Sequence, residues 1–324
     1  MDLLYLIRSA LRIPDYWHPY LEIQTDFQLG RVGRYPVSMD AKADYPGQLD
    51  RQGLPVVFGG RDRRASASPV VIVLYGLGNH DVFIRTREES CRSRMMCALQ
   101  WLENHSVPMG EGIGWPYYED ISVYRLKAPW FSGLVQGLAL SLFVRAHQLD
   151  GAGHWSRLAY QTWQGYHVPI ESGGFCRKVG DGVIYEEYPG PELDCAFTGM
   201  CCTLIGLWEA WQSGVIPGAE IDFRIGLSGL RFCLPRFTRG NWSLYSLNQC
   251  LGKPFLASPY YHRANALLAQ VVGLMSGDAE LHACGDHWLN SSRSLLQRLG
   301  MSLRIGMQRF LHAPTLLHAD KSKN

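Results

Sequence analysis

Beyond residue 86, apolar residues recur at three- and four-residue spacing, as in Leu267, Leu268, Val271, Val272 and Met275, which lines one face of an α-helix. The pattern predicts helices over 88–104, 131–149, 153–164, 194–212, 219–233, 260–276 and 278–299. Upstream the pattern changes. Residues 1–85 are rich in Tyr, Pro, Gly and Asp, with segments such as Tyr35-Pro36-Val37-Ser38-Met39 and the β-branched run Val70-Val71-Ile72-Val73. These predict strands, hairpins and loops. Thr86-Arg87-Glu88-Glu89, with capping-box spacing, marks the change, so an N-terminal β-rich hairpin region (1–85) and a helical domain (86–324) are expected. Seven or so antiparallel helices must wrap to bury their apolar faces. A mostly α fold follows, an incomplete (α/α) barrel or toroid with the connecting loops collected at one end. No repeat at a solenoid period is present.

At 324 residues, with 47% hydrophobic and 19% charged, the chain can bury a large core. A formal charge of +2 gives no reason to expect nucleic acid, and Arg61-Asp62-Arg63-Arg64 reads as a solvated loop that can still help hold a polyanion. Nine cysteines, most in apolar helical sequence (Cys97, Cys195, Cys201, Cys202, Cys233), read as small hydrophobes of a reducing compartment. Without Cys-x-x-Cys or paired His spacing, no zinc site is predicted. The apolar run at the N-terminus is broken by Arg8 and lacks a small-residue cleavage site, so it does not read as a signal peptide. The longest apolar stretch, Trp130 to Val144, is too short to span a bilayer and predicts a buried helix. A cytoplasmic protein with no membrane span is the expectation.

The chemistry-bearing stretch is Val183-Ile184-Tyr185-Glu186-Glu187-Tyr188-Pro189, which sets two carboxylates between two phenols ahead of a Pro-Gly-Pro break. Val183, Ile184 and the tyrosines favour a half-buried strand, whereas Glu is almost never fully buried unless paired. Alternation sends Tyr185 and Glu187 to one face and Glu186 and Tyr188 to the other, so one acid is expected to be partly desolvated. An exposed edge strand ending at Pro189 accounts for the same residues without chemistry. Three further stretches are aromatic and polar: Gly240 to Ser246 around Trp242 and Tyr245, Ser258-Pro259-Tyr260-Tyr261-His262, and Lys127-Ala128-Pro129-Trp130 leading to Gln136. Aromatic faces with polar rims suit a sugar groove, and they also suit a packing lid.

These residues carry a resemblance. Trp130-Phe131-Ser132-Gly133-Leu134-Val135-Gln136-Gly137, then Ser141 to Ala146, resembles a helix of the D-glucuronyl C5-epimerases, and Tyr185-Glu186-Glu187-Tyr188-Pro189 with Gly199 resembles their YEEYP segment. Trp242-Ser243-Leu244-Tyr245 and Tyr261-His262 follow in the family's order, and upstream Ala43-Asp44-Tyr45-Pro46-Gly47 and Tyr75-Gly76-Leu77 are similar to it. The resemblance covers roughly residues 35 to 290. It implies inversion at C5 of glucuronate in a heparosan-type polysaccharide, giving iduronate, with an acidic polysaccharide as partner. It also implies a homodimer and a bound calcium whose ligands nothing in the sequence specifies; no organic cofactor is expected. Position by position, Glu187 and Tyr261 match the pair that exchanges the C5 proton, and Tyr188 and Tyr245 the tyrosines that hold or polarise the uronate. Tyr45, Tyr75, Trp130, Gln136, Tyr185, Glu186, Trp242, Asn248 and His262 are the expected substrate contacts. Where the family reads Tyr-Asp-Leu-Arg this chain has Tyr245-Ser246-Leu247-Asn248, so the arginine expected at the substrate carboxylate is absent there.

Removing the C5 proton places negative charge beside an existing carboxylate, so donors or cations must stabilise that charge. Phenols donate without a counter-ion, and inversion needs an acceptor and a donor on opposite faces of the ring. Lys42, Arg125, Lys127, Arg231, Arg236 and Arg239 are the candidate replacement cations. Three other readings remain open: a polysaccharide lyase, which shares the proton abstraction; a glycoside hydrolase pairing Glu186 or Glu187 with Asp194 or Asp222; and a catalytically impaired glycan-binding protein.

Overall fold

The computed structural model describes residues 3–26, 31–59, 64–248 and 255–307. Arg61, Asp62 and Arg63 of the basic run lie outside the described residues. In chain order the helices are α1 (Leu3–Leu11), α2 (Pro69–Thr86), α3 (Glu89–His105), α4 (Gly133–Asp150), α5 (Gly153–Gln164), α6 (Phe197–Gln212), α7 (Ala219–Cys233), α8 (Pro259–Ser276) and α9 (Ala279–Ser291). Residues 295–307 are also helical. The last expected helix, 278–299, is therefore interrupted at residues 292–294. The free cysteines among the described residues agree with their reading as hydrophobes.

The helices form two layers. α2 packs on α4, α4 on α6 and α6 on α8, while each of these is covered by the helix that follows it: α3, α5, α7 and α9. The inner helices are buried almost all round. In α4 every residue from Val135 to Ala146 is buried, as the apolar run from Trp130 to Val144 predicts. One core runs from Leu21 through Ile72, Leu142 and Ile205 to Trp288. α4 and α6 approach so closely that a Cβ on Gly206 would stand 2.4 Å from the carbonyl oxygen of Gly137. Inside this contact Arg145 donates to both carboxylate oxygens of Glu209 at 2.6 Å, with both side chains fully buried.

The strand expected at Val70-Val71-Ile72-Val73 is instead the first turn of α2. Pro69 occupies the first helical position, where its missing N–H costs nothing. Burial on most faces favours apolar residues all round, which hides the helical period and lets β-branched residues mimic a strand. The predicted capping box is also not formed. Thr86 ends α2, Arg87 turns the chain at φ 62°, and Glu88 is the N-cap of α3. Upstream of α2 the described chain is mostly loop rather than β-rich, with α1, a 3-10 turn at Asp40–Ala43 and one short strand pair, Val57–Gly59 with Arg64–Ser66.

Candidate active site

The Glu-Glu segment leaves a tight hairpin, Cys176–Val179 paired with Gly182–Tyr185, and then turns toward the start of α6. Its two acids have opposite fates. Glu186 is fully buried. It accepts from Arg177 Nε at 2.9 Å and from the backbone N–H groups of Asp194 and Cys195 at 3.1 and 2.7 Å. Glu186 thereby ties the hairpin to the segment before α6, and Cys195 takes a left-handed φ of 42°, so α6 begins at Phe197 rather than 194.

Glu187 points the other way. Tyr245 donates its phenol to Glu187 Oε1 at 3.3 Å, and the Tyr245 ring meets Tyr261 edge-to-face with centroids 4.9 Å apart. Tyr188 stacks on Tyr124 at 4.1 Å and lies 6.1 Å from Trp130, which itself stacks on Tyr117 at 4.4 Å. The expected catalytic residues Glu187, Tyr188, Tyr245 and Tyr261 are thus gathered, with an aromatic wall beside them. Glu187 keeps 6% exposure, and the three phenol-bearing residues are half-buried, so the group reaches solvent.

Local chemistry explains each placement. The strand Trp242–Ser246 is bridged to Ala196 through Ser246, which brings Tyr245 beside the start of α6. Ser258 caps α8 and accepts from the Tyr261 backbone N–H, fixing Tyr261 in the first turn after Pro259. The N-terminal ends of the inner helices meet here. Gly133 of α4 donates to the Glu186 carbonyl at 2.8 Å, Gly199 in the first turn of α6 touches Glu187, and Tyr117 is hydrogen-bonded to the Val70 backbone at the start of α2. Helix N-termini carry partial positive charge, which offsets part of the cost of burying a negative charge at this point.

Burial pushes the Glu187 carboxyl up to about 7, against the pull of the Tyr188 and Tyr245 phenols. Burial, reinforced by the Glu186 carboxylate, pushes Asp194 up to about 8. The Tyr261 phenol is raised by burial and stays protonated at neutral pH. A carboxyl that exchanges protons near neutrality, beside a protonated phenol, is equipped for proton transfer.

Several expected substrate contacts are placed elsewhere. Gln136 is buried and donates to the carbonyls of Ile113 and Thr162, both at 2.7 Å. Tyr185 is buried behind the hairpin, with its phenol donating to the Asp222 carbonyl at 3.1 Å. His262 is fully buried between Ser243 and Ser291 and stacked on Trp242, and burial takes its pKa down to about 3, so it joins α8 to the strand before it. Tyr75 is buried within α2. Tyr45 lies in a separate aromatic group with Tyr16 and Trp17 and donates to the Val56 carbonyl. Asn248 is buried. Gln136, Tyr185 and His262, buried with their polar atoms bonded within the protein, hold the fold together. Of these residues Trp130 alone touches the catalytic group.

Four of the six candidate cations are engaged too. Lys42 is buried and donates to the carbonyls of Tyr16 and Trp17, Arg231 pairs with Asp278 at 2.5 Å, Arg125 pairs with Glu192 and Lys127 with Asp120. Asp222, a hydrolase candidate, accepts from Trp163 at 2.7 Å and lies 3.2 Å from His167, outside the cluster. Tyr117 and Tyr124 went unflagged in the sequence; the one signal was their aromatic clustering ahead of Trp130. Among the described residues no three His, Cys, Asp or Glu side chains gather as a metal needs, so calcium enters no step below. Nor is any helix among them long and apolar enough to cross a membrane.

Residues 109–290 match the family described as D-glucuronyl C5-epimerase C-terminus. The chain is 25% identical over 224 residues to the D-glucuronyl C5-epimerase of Caenorhabditis elegans, covering 64% of this chain and 36% of that protein. It is 22% identical over 137 residues to an uncharacterized protein of Methanocaldococcus jannaschii, covering 41% and 44%. It therefore spans less than half the length of these curated relatives. Among solved structures, a crystal structure of D-mannose isomerase superposes with a TM-score of 0.54 at 9% identity, covering 78% of this chain and 67% of that one, a likeness of fold.

Proposed function

Since the chain belongs to the D-glucuronyl C5-epimerase family through residues 109–290, we propose that it inverts C5 of glucuronate within a heparosan-type polysaccharide to give iduronate. One observation carries the reading: the near-neutral Glu187 carboxyl is hydrogen-bonded to Tyr245, whose ring packs on Tyr261. Glu187 takes the C5 proton and Tyr261 returns one from the opposite face. Tyr188 and Tyr245 hold the uronate and polarise its carboxylate, the inner-helix ends help stabilise the charge that develops, and Trp130, buried against Tyr117 and Tyr188, backs the aromatic wall beside them. No organic cofactor takes part. The two-layer packing supports the reading of an incomplete (α/α) barrel, with the site at the N-terminal ends of its inner helices.

Incubating the protein with heparosan in D₂O and recording the proton NMR spectrum tests the proposal. Deuterium should enter at C5 and iduronate signals should grow, and Glu187→Gln and Tyr261→Phe should each abolish exchange in a folded protein. Full exchange in both variants overturns the assignment, and an unsaturated product absorbing in the near ultraviolet makes the protein a lyase.

A further inference from the structure

Beside the catalytic group, and largely outside the family match, lies a second chemical feature. A recess between α1, the segment after it and the start of α8 is lined by Arg8, Arg12, Arg263, Asp15, His18 and Tyr260. Its cations are not balanced. Arg12 feels the neighbouring charges of Arg298 and Arg263, which together with burial lower its pKa. Among the described residues Asp15 is the one acid within ion-pair distance of these arginines, 3.6 Å from Arg8, and it is shared with His18 at 3.2 Å. The other guanidinium groups are held by carbonyls: Arg12 by Ser292 at 2.7 Å, Arg263 by Leu21 at 3.0 Å and Arg298 by Ala10 at 2.6 Å. Carbonyl anchors fix the arginines in place without neutralising them. Among the described residues the Nε donors of Arg8 and Arg263 have no hydrogen-bond partner. Like charges gathered this way repel, and a bound anion relieves the repulsion through charge-assisted hydrogen bonds.

The recess adjoins the site. Tyr260 and His18 form its wall, and their rings lie 5.2 and 6.2 Å from the ring of Tyr261. Because His18 and Tyr260 line the recess and Tyr261 does not, an anion held there belongs to a neighbouring sugar unit rather than to the reacting one. We propose that the recess is an anion-binding subsite, centred on Arg8, Arg12 and Arg263, for the carboxylate or sulfate of a unit flanking the one at Glu187. This rests on the acidic-glycan reading above.

Calorimetric titration of the full chain with unsulfated and N-sulfated heparosan octasaccharides, at low and high salt, tests it. Arg8 makes only long contacts, to the Pro14 carbonyl at 3.3 Å and to Asp15 at 3.6 Å, so Arg8→Gln should fold. Arg8→Gln should bind about tenfold more weakly, the usual scale of one charge-assisted hydrogen bond. Asp15→Asn, which removes the lone acid, should bind more tightly. Both differences should shrink at high salt. A loss confined to the N-sulfated glycan identifies the group as sulfate, and equal losses identify it as carboxylate. Wild-type affinity for both glycans in both variants overturns the proposal. A second arm keeps the two readings apart. If wild-type protein binds neither glycan, the glycan subsite falls with the epimerase reading; inorganic sulfate that raises the melting temperature of wild type but not of Arg8→Gln then leaves an anion site of another kind.

Discussion

Gly199 leaves the space that Glu187 fills. A Cβ on residue 199 would stand 2.5 Å from Glu187 Oε2 and 2.7 Å from Glu187 Cβ, closer than real carbon atoms approach. The first turn of α6 thus comes up against the catalytic carboxyl, which a side chain there would push aside. Gly199→Ala should cost about 1–3 kcal/mol in stability through overpacking. Its effect on C5 exchange should be larger, about a hundredfold, because a displacement of about 1 Å can cost that much. Exchange rates and melting temperatures measured together check this, and a lowered melting temperature with full exchange would remove Gly199 from the site.

Burial raises the proton affinity of Glu187, and the phenols of Tyr188 and Tyr245 lower it. The Tyr245 hydrogen bond favours the carboxylate and so holds the pKa below the value that burial alone would produce. With Glu187 as the base, exchange should rise with pH through about 7 in the wild type. Tyr245→Phe removes the donor, so the acidic limb of the pH–rate profile should move upward by about one unit, as expected for losing about 1.5 kcal/mol of hydrogen bonding to a charged group. A limb left where it was would show that another group controls the profile.

The same burial makes stability depend on pH, and the sign is fixed. Glu187 is raised from 4.5 to about 7 and Asp194 from 3.8 to about 8, so in the window between the folded chain holds protons that the unfolded chain has lost. Stability should therefore fall as pH climbs from about 4.5 to 8, by roughly 3 kcal/mol for Glu187 alone. Denaturant titrations at several pH values measure the slope. Asp194→Asn should flatten it and raise stability at pH 8; an unchanged slope would mean that Asp194 is ionised in the folded protein.

Glu186 and Glu187 should separate cleanly on mutation. Glu186→Gln weakens the ion pair with Arg177 and mismatches one of the two backbone donors, so it should cost about 2–4 kcal/mol of stability. Exchange per folded molecule should stay near wild type. Glu187→Gln should do the reverse, ending exchange while raising stability at alkaline pH. Loss of exchange in folded Glu186→Gln would place Glu186 in the chemistry.

Arg145 and Glu209 join α4 to α6 far from solvent. Removing either partner strands a buried charge, at a cost of about 3–5 kcal/mol, so Arg145→Met should unfold the protein at markedly lower temperature. Arg145→Met combined with Glu209→Leu should recover most of that loss, because two apolar side chains replace the pair. A double variant no more stable than the single one would show that Arg145 stabilises through its other contacts.

Much was legible in the chain itself. The helices from α3 to α8 follow the apolar spacing within a few residues, because each of those helices buries one face or sits in an apolar setting flanked by clear turn residues. α9 starts where expected but ends eight residues early. The motif residues Glu187, Tyr188, Tyr245 and Tyr261 were named from local sequence and meet in space. Three matters waited for the tertiary structure. α2 reads as a strand because burial on most faces erases the helical period. Which of two adjacent glutamates is free depends on Arg177 and two backbone N–H groups that reach Glu186 only after the hairpin folds. Whether His262, Gln136 and Tyr185 meet solvent or core depends on packing between segments distant in the chain, and no local pattern records it. Periodicity reports which face of an element is apolar; the environment of one polar side chain is set by its neighbours in space.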